Sequence, residues 1–103
     1  MISDYSMRVI ARRTLREHWQ RRRDSEQSLR AWFGEARKAE WQSPAEVKAA
    51  YRSASILRDG RCVFNIAGNK YRLVVWINYA YQIVYIRFIG THKEYDQIDA
   101  QNI

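Results

Sequence analysis

Arg61-Cys62-Val63-Phe64-Asn65-Ile66, then Ala67-Gly68-Asn69, then Lys70-Tyr71-Arg72-Leu73-Val74-Val75-Trp76-Ile77-Asn78 spells two strands and the turn between them. Both flanks are rich in β-branched and aromatic residues, and the link holds Gly68 and Asn69, which tolerate positive φ. After Asn78 to Gln82, Ile83 to Ile89 repeats the same composition and predicts a third strand. The three strands form an antiparallel meander. Its central strand has little polar relief on either face, so both sides need cover, partly from helices.

The chain before the meander supplies those helices. Met1 to Ser6 shows no periodicity and is read as an N-terminal extension, leaving residues 7–103 as a single domain. Met7-Arg8-Val9-Ile10 predicts a brief strand joining the meander, with no parallel pairing expected. Thr14-Leu15-Arg16-Glu17 has the spacing of a capping box, opening a helix that turns Leu15 and Trp19 inward and fades at Arg21-Arg22-Arg23. Asp24 or Ser25 can cap a second helix, whose Leu29, Trp32, Phe33 and Ala36 recur as a buried stripe with Arg30, Arg37 and Lys38 off it. Ser43-Pro44-Ala45-Glu46 predicts another capping box, with Pro44 at the first helical position and Val47, Ala50 and Tyr51 facing the core. Trp32 and Trp76 fit core positions, and Glu94 to Asn102 predicts a terminal helical turn. The result is an α+β domain: a small antiparallel sheet, made of a short N-terminal strand and the meander, packed against N-terminal helices.

Composition narrows the function classes. In 103 residues with 47% hydrophobic content there is material for one core, and a chain this short buries only one. The lone Cys62 excludes an internal disulfide framework and a Cys-rich zinc site. No apolar run approaches a membrane span, so a soluble cytoplasmic protein without membrane contact is expected. Eighteen Lys and Arg against eleven Asp and Glu leave +7, which favours an anionic partner through long-range attraction and counterion release. Residues 1–42 hold ten basic and six acidic side chains, and residues 61–103 hold five and three. In the second region the cations lie within strands, where a guanidinium must reach an anion or solvent.

Chemistry is narrowed by what is missing. There is no glycine-rich phosphate loop or nucleophile elbow, and His18 and His92 have no second ligand at metal spacing. Asp59, Glu94, Asp96 and Asp99 could contribute a carboxylate pair, but nothing selects one, so no metal or cofactor is expected. RNA cleavage needs neither: the substrate's 2′-hydroxyl can attack its own phosphate. The protein then supplies a base, cations for the developing charge, and an acid for the 5′-oxygen. Arg72 shares a strand face with Val74 and Trp76, Val63 and Asn65 share one on the preceding strand, and Arg87 lies in the third. His92 and Lys93 follow that strand, with Tyr95 three residues after His92. Each has a structural alternative: Arg72 and Arg87 as carboxylate partners, His92 as a packing histidine, and Arg21, Arg22 and Arg23 as a solvated helix end.

Arg61 to Val75 together with Tyr85-Ile86-Arg87-Phe88-Ile89-Gly90-Thr91-His92-Lys93-Glu94-Tyr95-Asp96 closely resembles the HigB family of bacterial toxins, and Leu29 to Trp32 and Tyr51 to Ser55 add to the likeness. The resemblance implies a RelE-like fold and a metal-independent mRNA interferase acting on translated message in the ribosome. By position it puts the family's strand arginine on Arg72, a proton-transferring side chain on His92, and a C-terminal tyrosine nearest Tyr95, with Lys93 beside them. Val63 and Asn65 stand where some relatives carry lysines, which makes His92 the leading general base. Arg61, Asn65, Lys70 and Arg87 are the expected RNA contacts. The implied partners are mRNA, the ribosome and a HigA-like helix-turn-helix antitoxin, through which operator DNA is met only indirectly. That antitoxin either covers the cationic groove or docks on the helical side at Arg21 to Arg23, Arg30 and Arg37. The rival readings are a non-catalytic RNA- or ribosome-binding module and a metal-dependent nuclease using Asp96.

Overall fold

The hairpin of strands β3 (Arg61–Ile66) and β4 (Tyr71–Asn78) is antiparallel, in register from Arg61 opposite Trp76 to Ile66 opposite Tyr71. The structure, a computed structural model, describes residues 6–103, so of the extension expected over residues 1–6 only Ser6 falls among the described residues. The link turns as its residues predict, with positive φ at Gly68 (71°) and Asn69 (132°). Ala67 shares the positive φ, at 54°. Strand β5 (Ile83–Thr91) completes the meander and runs two residues past the expected Ile89. Val74 faces Phe88 while Val75 faces Ile86, so Arg87 is an extra, exposed residue at a bulge.

Two short strands complete a five-stranded sheet in the order β1-β5-β4-β3-β2, with β1 (Arg8–Ile10) and β2 (Ser55–Ile56) at its edges. Strand β1 runs parallel to β5, which corrects the all-antiparallel expectation. A parallel neighbour needs a long crossover, and the helical stretch between β1 and β2 provides one. Three residues of strand read the same in either direction.

Helices α1 (Arg12–Arg21), α2 (Glu26–Lys38) and α3 (Pro44–Ala50) occupy the chain between β1 and β2. Leu15, Trp19, Leu29, Trp32, Ala36 and Val47 are buried against Cys62, Phe64, Leu73, Val75, Ile77 and Val84. Phe64 is the hub, with Trp32, Tyr51 and Trp41 rings at centroid distances of 5.3, 5.0 and 6.2 Å. Ala50 closes α3 on its outward side and is exposed, against expectation. The opposite sheet face is covered by the C-terminal segment, α4 (His92–Tyr95) and the residues after it. Ala100 is buried with Val63 and Val74, and Leu57, Phe88, Tyr95, Ile98 and Ile103 pack around them. Trp76 does not enter the helix-side core. It stacks on Tyr85 at 5.1 Å and donates Nε1–H to the Asp59 carbonyl at 2.7 Å.

The caps differ from their sequence signals. Helix α1 starts at Arg12, two residues before Thr14, and Glu17 pairs with Arg13 at 2.7 Å. Ser25 and Ser43 stand at the N-cap positions of α2 and α3 but make no side-chain capping bond. The box that forms is Thr91 with Glu94: Thr91 Oγ1 accepts from Glu94 N at 3.1 Å, and Glu94 Oε1 accepts from Thr91 N at 2.7 Å.

Candidate active site at the sheet end

Asn65, Arg72 and Gly90 lie opposite one another across β3, β4 and β5. Alternation puts Asn65 and Arg72 on the face away from the helices, with Val63 and Val74. Arg72 is half-buried, donates Nη1–H to the Asn69 carbonyl at 3.2 Å, and makes no ion pair among the described residues. Among the described residues its charge thus meets a carbonyl and no carboxylate. The Asn65 amide donates to the Ser53 carbonyl at 3.3 Å. Two residues past Gly90, the His92 N–H donates to the Lys70 carbonyl at 3.2 Å, joining the start of α4 to the β3–β4 turn. The exposed His92 ring has Nδ1 3.4 Å from Asp96 Oδ2, one helical turn on.

A polar assembly, exposed at Asp24 and Lys70 and buried at Tyr71, His18 and Ser25, supports this end of the sheet from the helix side. Asp24 accepts from the Tyr71 hydroxyl at 2.5 Å and from Lys70 Nζ at 2.7 Å. The hydrogen bonds from Lys70 and Tyr71 hold the Asp24 carboxyl below its usual pKa, and the same partner raises those of Lys70 and Tyr71. The neighbouring His18 is buried, with Nδ1 3.0 Å from Ser25 Oγ and its ring edge-on to Tyr71 at 4.9 Å. Burial, and then the Arg21 charge, push its pKa down. Sequence reading missed Asp24, His18 and Ser25 as site supports. Asp24 was read as a cap, and nothing local links it to residues 46 and 47 positions away.

The other expected site residues are spread out. Lys70 sits in the turn, bound to Asp24. Tyr95 is partly buried against Val63 and Val74, on the same sheet face as Arg72. Lys93 turns into a separate hollow with Arg22, Phe88 and Gln97, which neither Arg72 nor His92 lines. Arg61 lies four positions along β3 from Asn65, roughly 13 Å away, with its Nε–H donated to the Ile103 carbonyl at 3.0 Å. Arg87 stands at the bulge, away from the Asn65–Arg72–Gly90 row. The structure thus gathers Asn65, Lys70, Arg72 and His92 at one sheet end and keeps Arg61 and Arg87 apart from them. Among the described residues, no three His, Cys, Asp or Glu side chains are grouped to hold a metal ion.

The strand that bears Arg72, the turn that holds Lys70 and the strand end that leads into His92 lie within one segment of the chain that matches known proteins. Residues 25–98 match the HigB_toxin family, described as the RelE-like toxic component of a toxin-antitoxin system. This chain belongs to that family. It is 30% identical over 92 residues, spanning 87% of this chain and 88% of the relative, to the mRNA interferase toxin HigB of Escherichia coli strain K12. The mRNA interferases HigB of Escherichia coli O157:H7 and Shigella flexneri match to the same extent. The matched span contains Asn65, Lys70, Arg72, His92 and Asp96, whereas β1 and α1 precede it. The protein is thus the toxin component of a toxin–antitoxin system, and its partner is an antitoxin.

Proposed function

We propose that this toxin is a ribosome-dependent mRNA endonuclease that cleaves translated message without a metal ion. The observation that carries the reading is Arg72: a guanidinium on the sheet face away from the helices, with no ion pair among the described residues, one cross-strand neighbour from the strand end that leads into His92. In the proposed reaction the 2′-hydroxyl adjacent to the scissile phosphate attacks phosphorus, and the P–O5′ bond breaks. The products are a 2′,3′-cyclic phosphate and a 5′-hydroxyl. His92 takes the 2′ proton, with Asp96 placed to orient the ring and stabilise the imidazolium, and the departing 5′-oxygen takes its proton from water. Arg72 neutralises charge growing on the non-bridging oxygens, where a preorganised donor acts most strongly. Asn65 and Lys70 flank the RNA path, and Tyr95 borders it over the C-terminal segment. The Arg72 guanidinium forms no ion pair among the described residues, and this supports charge neutralisation by the protein itself.

The partners proposed are mRNA in the ribosome and a HigA-like helix-turn-helix antitoxin, with operator DNA met only through that antitoxin and the cytoplasm as the setting. The test is expression in bacterial cells, mapping new mRNA 5′ ends for the wild type, Arg72→Ala and His92→Ala. Each substitution is expected to lower the cleavage rate roughly 10²–10⁴-fold. Undiminished cleavage by both variants at equal expression rejects this site. Growth arrest by the wild type with no new 5′ ends makes the protein a binding module instead.

A further inference from the structure

One hollow takes no part in that reaction. It holds about 460 Å³, with Phe88 and Ile98 as its apolar floor, Arg22 and Lys93 on its walls and Glu94 and Gln97 at its rim. It exists because β1 pairs only with Ile83, Val84 and Tyr85, leaving the rest of β5 without an outer strand among the described residues. The end of α1 brings Arg22 into that space, so one member of the Arg21-Arg22-Arg23 cluster is singled out by position. Gly90 sets the shape. A Cβ there would lie 2.7 Å from Phe88 Cζ and 2.8 Å from Glu94 Oε1, so ring and carboxylate both close over the residue opposite Arg72.

We propose that this hollow binds one nucleotide of the RNA strand next to the scissile phosphate, with its base on Phe88 and its phosphate between Arg22 and Lys93. The proposal rests on the RNA-cleaving reading and deepens it. A flat aromatic floor suits any base, and a cavity of this volume is in the range of small-molecule sites. Arg22 and Lys93 come from different elements and form no ion pair among the described residues, so both charges stay available to a phosphate. Selectivity comes from the rim. Glu94 accepts a hydrogen bond from the Thr91 N–H, which holds its carboxyl in the ionised, acceptor-only form. Together with the Gln97 amide it favours a base that presents an exocyclic amine, adenine, cytosine or guanine, over uracil, which has no exocyclic amine and only one N3–H donor between two carbonyls.

A translation reaction with ribosomes and a reporter mRNA of varied codons tests this, with 5′ ends mapped across a range of toxin concentrations. Arg22→Gln is expected to lower cleavage at least tenfold at limiting toxin and to recover at saturating toxin, with Arg22→Lys partly restoring it. Phe88→Leu and Gln97→Ala are expected to flatten the preference at one nucleotide position, and thermal melting confirms that each variant is folded. If the wild type cleaves and the variants keep its concentration dependence and its preferences, this proposal falls while the functional reading stands. If the wild type produces no new 5′ ends, both fall. Unchanged cleavage with weakened antitoxin binding overturns the nucleotide site in favour of a protein segment in the hollow.

Discussion

His18 shows how a single side chain couples the site's support to pH. It is buried on α1 against Ser25 and Tyr71, and its Nε2 has no hydrogen-bond partner among the described residues. Burial is the main cause that moves its pKa below the ordinary 6.5, with the Arg21 charge next. The folded state therefore binds the proton less readily than the unfolded chain does. Stability is complete above the unfolded value and is lost as pH falls from about 6.5 through the lowered folded value. The thermal midpoint of the wild type should drop across that window, and His18→Gln, uncharged throughout, should flatten the drop whatever its own starting stability. An identical slope for the two proteins would contradict the assignment. Asp24 acts in a separate, more acidic window. Its carboxyl is held low by Lys70 and Tyr71, so its contribution is present above 3.8 and disappears as pH falls from there.

Elements in this fold are closed by tertiary contacts as much as by their own end residues. Ser25 occupies an N-cap position, yet its hydroxyl donates to the Arg22 carbonyl at 2.7 Å and meets His18. The two capping boxes expected at Thr14 and Ser43 do not form, while the one at Thr91 does, where β5 ends and the chain must turn back over the sheet. The entry to β3 is similarly constrained. Gly60 has φ 82° and accepts a hydrogen bond from Ile77 N at 2.8 Å, and a Cβ on it would lie 2.6 Å from the Ile77 carbonyl oxygen. Gly60→Ala therefore combines backbone strain with a clash against backbone. A loss of about 1–3 kcal/mol follows from strain of this kind, and urea denaturation will read it as a lower midpoint. An unchanged midpoint would mean that the turn rebuilds at no cost.

Across the whole molecule, charge is divided between two surfaces. At the sheet end Arg72 lies on the strand next to the one that leads into His92. On the helical half Arg37, Phe33, Arg12, Trp19 and Arg30 alternate as guanidinium and ring, at distances of 5.1, 5.4, 5.2 and 4.8 Å. Stacking on rings orients the guanidinium planes, and Arg30 in addition pairs with Glu26 at 2.8 Å. That surface suits an acidic antitoxin face, which would be steered by the +7 charge. Reversing charge with Arg12→Glu and Arg30→Glu should slow antitoxin association, most strongly at low salt, and leave ribosome binding intact. Binding kinetics with both partners will test this. Loss of ribosome binding with intact antitoxin binding would assign the ladder to ribosomal RNA.

Local composition was enough for the meander, the buried stripes of α1 and α2 and the α+β class. Alternation, helical periodicity and a turn with Gly68 and Asn69 are properties of neighbouring residues, and each limits the backbone within a few positions. The candidate residues Arg72 and His92 were legible because a cation inside a strand and an imidazole at its end stand out in residue type. The parallel direction of β1, the second apolar face under Ala100, the outward place of Trp76 and the grouping of Asp24, His18 and Arg22 behind the sheet end were not legible. These depend on which segments meet after the helices cross the sheet. A capping residue or strand end carries the same local signal whether it meets solvent, a neighbouring strand or a side chain more than forty positions away, and only packing the whole chain selects among them.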